Sequence, residues 1–219
     1  MNLGQLRHIV VEGAIGVGKS SLAKRLAAHL GLEPLLERPE DNPFLARYYA
    51  DGSRYALQTQ LVFLFQRLEQ LRELTQPGMF ERGTVADFMF GKDALFAALT
   101  LDADEHRLYT QIHAQVAPPA LPRPDLVLWL HATPATLVER IRGRGLVMEQ
   151  GLVEADLQRL ADAYAAHFER ERATPLLLVD TESFHPAADD VDFERLLRRI
   201  ASFRGPREAF DPASQTLLG

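Results

Sequence analysis

The run Gly13-Ala14-Ile15-Gly16-Val17-Gly18-Lys19-Ser20 constrains this chain more than any other feature. It matches the phosphate-loop pattern G-x-x-x-x-G-K-[ST], in the context that the pattern requires. Before it, His8 to Glu12 (HIVVE) is a short apolar run ending at a glycine, as a buried parallel strand would. After it, Ser20 to Leu30 has helical spacing and stops at Gly31. The glycines let backbone N–H groups turn inward around phosphate oxygens, and the helix points its positive end at the same anion. Lys19 supplies charge for the β- and γ-phosphates, and Ser20 offers a hydroxyl to Mg²⁺. The residues from Gly13 through Ser21 are therefore the candidate phosphate site, and the anion they suit is a nucleoside triphosphate.

The rest of the chain alternates short apolar runs with helical patterns. Leu35-Leu36-Glu37 is a second, weaker strand, followed by turn-rich Pro39 to Pro43. From Tyr55 to Leu74 the apolar residues Leu57, Leu61, Leu64, Leu68 and Leu71, with Phe65 alongside, predict a long amphipathic helix closed by Pro77-Gly78. Gly78 to Glu81 is a third strand candidate. Helices are expected at Asp93 to Leu99, Glu105 to Val116, Thr136 to Arg142, Glu154 to Arg172 and Asp192 to Ile200. Asp125 to His131 (DLVLWLH) and Leu176 to Asp180 (LLLVD) complete the strands, and the tail from Gly205 reads as loose. Such alternation implies an α/β protein whose parallel sheet is covered on both faces. With 219 residues and 47% hydrophobic content, one domain over residues 1–219 accounts for the chain.

Several classes are excluded or disfavoured. A formal charge of −6 gives no basis for a duplex nucleic acid partner. The absence of cysteine removes disulfides, zinc thiolate sites and cysteine nucleophiles. The seven histidines show no metal spacing; His106 and His113 share a helix face without a third ligand. Residues Met1 to His8 lack a signal peptide's apolar core, and no apolar run approaches the roughly 20 residues that span a bilayer. The expectation is a cytoplasmic protein with no membrane partner.

Among phosphate-loop classes, a GTPase would carry N-K-x-D, and Gly91-Lys92-Asp93 is not that motif. A motor-type ATPase ends an apolar strand with an acid, whereas Leu126 to Leu130 ends in His131. An acid followed by an arginine stands instead at Glu81-Arg82. That pair suits a small-molecule kinase: the carboxylate helps hold Mg²⁺ and the arginine stabilises charge on the transferred group.

Together with the phosphate loop, the segments ERPEDNPFL (37–45), YALQTQLVFLF (55–65), FERGTVADFMFGKD (80–93), PRPDLVL (122–128) and RIRGRGLVMEQG (140–151) resemble the deoxynucleoside kinase family, in family order. They look most like its bacterial branch acting on purine deoxynucleosides. The resemblance implies a three-layer P-loop kinase fold with a central parallel five-stranded sheet, helices on both faces and an arginine-rich lid over about 140–150. It also implies a helix-packed homodimer, Mg²⁺ as cofactor and ATP as phosphate donor. The reaction implied is phosphorylation of a deoxynucleoside 5′-hydroxyl. The rivals are a nucleoside monophosphate kinase, which needs extra cations for its acceptor phosphate, and a regulatory module that only binds nucleotide.

The resemblance assigns roles residue by residue. Glu37 matches the acid that accepts the 5′-hydroxyl proton, with Glu40 and Asp41 as nearby competitors. Arg82 is expected near the reacting oxygen and Glu81 near the metal; the family's serine after them is here Gly83. Arg67 and Asp87 match positions completing base recognition and are expected as a buried pair. Gln60, seven residues before Arg67 on the same helix face, has an amide able to pair with an adenine-like edge. Phe63 lies one turn from Gln60. Tyr49 and Glu149 match positions that bond the sugar 3′-hydroxyl, Tyr48 and Tyr55 being the alternatives for the tyrosine. Arg140, Arg142 and Arg144 resemble the lid, whose chemistry rests on Arg140 and Arg144 because Leu146 stands where the family often has another arginine.

Overall fold

The computed structural model of the chain describes residues 1–74, 83–118 and 123–213. Strand β1 (His8–Gly13) runs through the glycine loop into helix α1 (Lys19–Leu30) and on to β2 (Glu33–Leu35). Helices α2 (Leu45–Ala50) and α3 (Gly52–Leu74) precede β3 (Thr84–Ala86). Next come α4 (Lys92–Thr100), α5 (Ala103–Val116), β4 (Leu126–His131), α6 (Pro134–Arg144) and α7 (Glu154–Arg170). β5 (Leu176–Asp180), α8 (Asp190–Ser202) and β6 (Arg207–Phe210) close the fold.

The sheet has the order β2-β3-β1-β4-β5-β6, and every pairing is parallel. Residues 9–13 of β1 are all buried, so both faces of the sheet are covered. On one face Glu12 meets Tyr164 of α7. α1 and α8 meet each other through Arg25, whose guanidinium lies over the Phe193 ring at 4.2 Å. β1 turns back toward β2, whereas β3 and β4 lead toward the opposite edge. The crevice at this reversal, outside the carboxyl ends of the strands, is where such sheets bind ligands.

The sheet has six strands where five were expected. The tail is not loose from Gly205: Arg207–Phe210 pairs with β5 from Leu176↔Arg207 to Val179↔Phe210. Two side chains hold it there. Phe210 is buried edge-on against Phe184, with ring centroids 5.4 Å apart. Glu208 accepts from the backbone of Arg204 and Gly205 and pairs with Arg199.

The third strand candidate, Gly78 to Glu81, lies outside the described residues, and β3 is found at Thr84–Ala86. Gly83 leads into it with φ +74°, where a Cβ would stand 2.7 Å from the Arg7 carbonyl oxygen. Glycine at this position thus serves the backbone crossing. It also marks the amino end of the sheet: Thr84 N donates to Arg7 O at 2.6 Å. Six strand steps separate Arg7 from Gly13, about 20 Å at ~3.3 Å each.

Candidate active site

The carboxyl edge of the sheet opens on a cavity of about 450 Å³. The connections after β1, β2, β3 and α6 furnish it, with side chains of α1, α2, α3, α4, α6 and α7. Gly13 fits because a Cβ there would meet the Leu130 carbonyl oxygen at 2.4 Å, so the turn out of β1 can press against β4. Gly13, Ile15, Gly16, Lys19 and Ser20 line the cavity, while Ala14 and Val17 are buried beneath the loop. Gly18 caps α1 at φ 98°, and Ser21 is exposed. Lys19 Nζ donates to Ala14 O at 3.0 Å. Burial, and then the charge of Lys92, push the Lys19 ammonium down to about 8.

Beside the loop stands a cluster of charged side chains. Glu37, two residues beyond β2, contacts Arg67 through Oε1 and accepts from Lys92 Nζ at 2.9 Å through Oε2. Burial alone would raise the Glu37 carboxyl, but Lys92 and Arg67 hold it well below the ordinary carboxylate range. Arg67, on α3 with only 4% of its side chain exposed, reaches Asp93 with its other terminal nitrogen. Asp93 is fully buried in the first turn of α4. The expected Arg67–Asp87 pair is therefore replaced by Arg67–Asp93 and Arg67–Glu37.

Asp87 does something else. It follows β3 directly, so its register places it level with the exit of β2. Its Oδ1 accepts from the Glu37 backbone N–H at 2.7 Å, and its Oδ2 contacts the Ser20 hydroxyl. Burial raises the Asp87 carboxyl pKa, opposed by these hydrogen bonds. An acid and a hydroxyl in contact are hard oxygen donors of the kind Mg²⁺ takes alongside phosphate oxygens. Glu81 and Arg82, expected to supply the metal acid and the cation, lie outside the described residues.

Other expected residues line the same cavity. Gln60 is 3% exposed, and its amide has no hydrogen-bond partner among the described residues. Facing the cavity, that amide has a donor and an acceptor to offer a ligand. Phe63 lines the wall, with the Arg67 guanidinium 5.5 Å from its ring centroid. Tyr49 and Glu149 face the cavity from α2 and from the turn at 147–149; burial, then Glu149's charge, raise the Tyr49 phenol pKa. Tyr48 lines the cavity too, whereas Tyr55 stacks on Phe44.

The arginines of the 140–150 segment separate. Arg144 lines the cavity and pairs with Glu149. Arg140 turns away, donating to Thr181 Oγ1 at 3.2 Å and Thr181 O at 2.5 Å, which ties α6 to the exit of β5. Arg142 is exposed. Gly145, at φ 75°, ends α6 just past Arg144.

Sequence reasoning passed over three residues. Lys92 and Asp93 open a helix, where charges usually face solvent. Glu12 looked like the polar end of a strand. It is fully buried, and it accepts from Met89 N at 2.9 Å, Gly13 N at 3.0 Å and Tyr164 Oη at 2.8 Å. One carboxylate thus joins the phosphate loop, the β3–α4 connection and α7. The available cue was an acid inside an apolar run, which a buried strand carries only when it is satisfied.

An α/β sheet whose glycine loop faces buried acids and cations across a ligand-sized cavity defines a phosphotransferase-type site. The comparisons agree. The deoxynucleoside kinase family model matches residues 9–204. Deoxyguanosine kinase of Bacillus subtilis (strain 168) is 30% identical over 198 residues, 88% of this chain and 95% of that protein. Deoxyadenosine kinase of Lactobacillus acidophilus is 32% identical over 188 residues, 80% of this chain and 86% of that one. A solved deoxyadenosine kinase from M. mycoides, with dCMP and dCDP bound, superposes with a TM-score of 0.73 at 23% identity, covering 90% of this chain and 100% of that one. The chain belongs to the deoxynucleoside kinase family, and its reaction is phosphoryl transfer to a deoxynucleoside.

Proposed function

We propose that this kinase has the P-loop kinase fold and moves the γ-phosphate of ATP onto the 5′-hydroxyl of a purine deoxynucleoside. The observation that carries the reading is the juxtaposition of Glu37 with the phosphate loop across one cavity, through Asp87, which touches both Ser20 and the Glu37 backbone. Glu37 is the acceptor of the 5′-hydroxyl proton. Paired with two cations, it is a weak base, which suits a loose transition state in which the proton leaves late. Lys19 and the loop N–H groups bind the β- and γ-phosphates. Ser20 and Asp87 would hold Mg²⁺; Glu81, the acid expected from sequence, lies outside the described residues. When bound, the metal would offset charge on the phosphate oxygens.

For the base, Gln60 supplies a free donor and acceptor, and Arg67 with Asp93 supplies the charged pair earlier sought in Arg67 and Asp87. Relatives named deoxyguanosine and deoxyadenosine kinase support a purine. Tyr49 and Glu149 serve the sugar 3′-hydroxyl, with Phe63 as the apolar wall. Arg144 is the lid cation; Arg140 acts by fixing the end of α6. Among the described residues no helix is long and apolar enough to cross a membrane, and we place the enzyme in the cytoplasm. The proposed homodimer packs through α3 and α5, neighbouring helices that expose Phe65 (52%) and Leu108 (46%).

The test is an ADP-release assay with Mg-ATP and each natural deoxynucleoside, alongside the deoxynucleoside monophosphates. Turnover fastest with deoxyadenosine or deoxyguanosine is expected. Turnover with monophosphates alone would reassign the acceptor, and phosphate release independent of any acceptor would contradict the base pocket.

A further inference from the structure

Lys92 is a buried cation of the cavity that has no role above. It sits in the first turn of α4 with 5% of its surface exposed, at the helix end where the dipole disfavours positive charge. Its Nζ makes one hydrogen bond among the described residues, to Glu37 Oε2. An ammonium carries three N–H groups, and the lysine lines the same cavity as Lys19, Ser20 and Asp87. A purely structural lysine is poorly served here. Glu37 already pairs with Arg67, and burying a further cation carries a desolvation cost that an apolar side chain would avoid. The two lysines also oppose each other, since Lys92 is the second cause, after burial, of the lowered Lys19 pKa. Two cations facing one cavity are relieved by an anion between them. Lys92 itself stays protonated: burial opposes its charge, but Glu37 and Glu12 outweigh burial and raise its pKa.

We propose that Lys92 is a catalytic residue whose ammonium bonds an oxygen of the phosphoryl group in transfer while holding Glu37 toward the attacking 5′-oxygen. This rests on the kinase reading above. In the step, the 5′-oxygen forms a bond to the γ-phosphorus as the bond from that phosphorus to the bridging oxygen of ADP breaks. The hydroxyl proton passes to Glu37 and later to solvent; Lys92 keeps its own proton.

Lys92→Met and Lys92→Arg test the assignment through kcat, the Kd of ATP and of deoxyadenosine, and affinity for ADP–tetrafluoroaluminate with deoxyadenosine, a mimic of the transferring group. For Lys92→Met we expect kcat to fall about 10²–10³-fold, as when one transition-state donor is removed. Ground-state Kd values should stay within about threefold, and binding of the mimic should weaken in proportion to kcat. Lys92→Arg should recover part of the loss. Unchanged kcat in Lys92→Met overturns the proposal. So does a mimic affinity that falls no further than that of deoxyadenosine, which would leave Lys92 a positioning residue. If Lys92→Met does not fold, Lys92→Gln gives the same ratios. Absence of deoxynucleoside-dependent ADP release by the unaltered chain would instead sink the kinase reading, and this inference with it.

Discussion

The carboxyl edge of the sheet has two halves with different electrostatics. After β2 and β3, the charges are buried: the side chains of Arg67, Lys92 and Asp93 are 4%, 5% and 0% exposed and Glu37 18%. After β4 and β5, the polar groups are mostly at the surface and spent on backbone. Thr133 caps α6, Glu182 accepts from Thr133 N–H and from the Thr133 and Thr136 hydroxyls, and Arg140 bonds the Thr181 carbonyl. The second half holds loops in place at little electrostatic cost, because water screens it. The first half confines ions where desolvation is expensive and where each supports the next. Chemistry belongs there: a charge developing in a dry cavity meets partners already oriented.

The largest expected effect lies at the centre of that half. Glu37→Gln should lower kcat about 10³-fold, as loss of a positioned base does, with ATP binding unchanged in calorimetry. A variant retaining more than a tenth of the activity would move the base elsewhere. Arg67→Met should follow in size but act on stability. It strands Asp93 and half of Glu37, costing about 3–5 kcal/mol in urea denaturation. A loss below 1 kcal/mol would mean that the pair is not buried in solution.

Lys19 sharpens the comparison through pH. Its free pKa is lowered to about 8, and a bound triphosphate favours the charged ammonium and raises it. ATP binding should therefore take up a proton at pH 8–9 and none at pH 6, seen as buffer-dependent heats, with affinity declining above pH 8. Proton release in that range would contradict the assigned environment. On the outer surface, Phe65→Glu should convert the proposed dimer to monomer in sedimentation velocity without changing the fold. The smallest effect belongs to the screened half: Glu182→Gln should cost less than about 1 kcal/mol, as surface polar substitutions do.

How far this contrast was legible depends on length and burial. Long periodic elements such as α7 and β4 declare themselves, as does the glycine loop, because its pattern needs both strand and helix around it. β3 does not: its three buried residues, Thr84–Ala86, are too few to show a period. Asp87, Lys92 and Asp93 come after the strand, at its chemically useful end. In sequence a buried charge looks like an exposed one; only its partners, 26 residues away for Arg67 and Asp93, distinguish them. α3 shows the converse. Phe65 reads as part of the apolar stripe but is half exposed, while Thr59, Gln60, Arg67 and Gln70 are buried at or near the cavity. β6 was missed because a four-residue edge strand depends on Phe210 finding Phe184.

The most direct test of the central claim is a crystal structure with deoxyadenosine, ADP and Mg²⁺. The account predicts the 5′-oxygen within hydrogen-bonding distance of Glu37, the base edge on the Gln60 amide, and the ADP phosphates in the Gly13–Ser20 loop. A nucleoside bound elsewhere, with the Glu37–Arg67–Lys92 cluster closed and untouched, would contradict it.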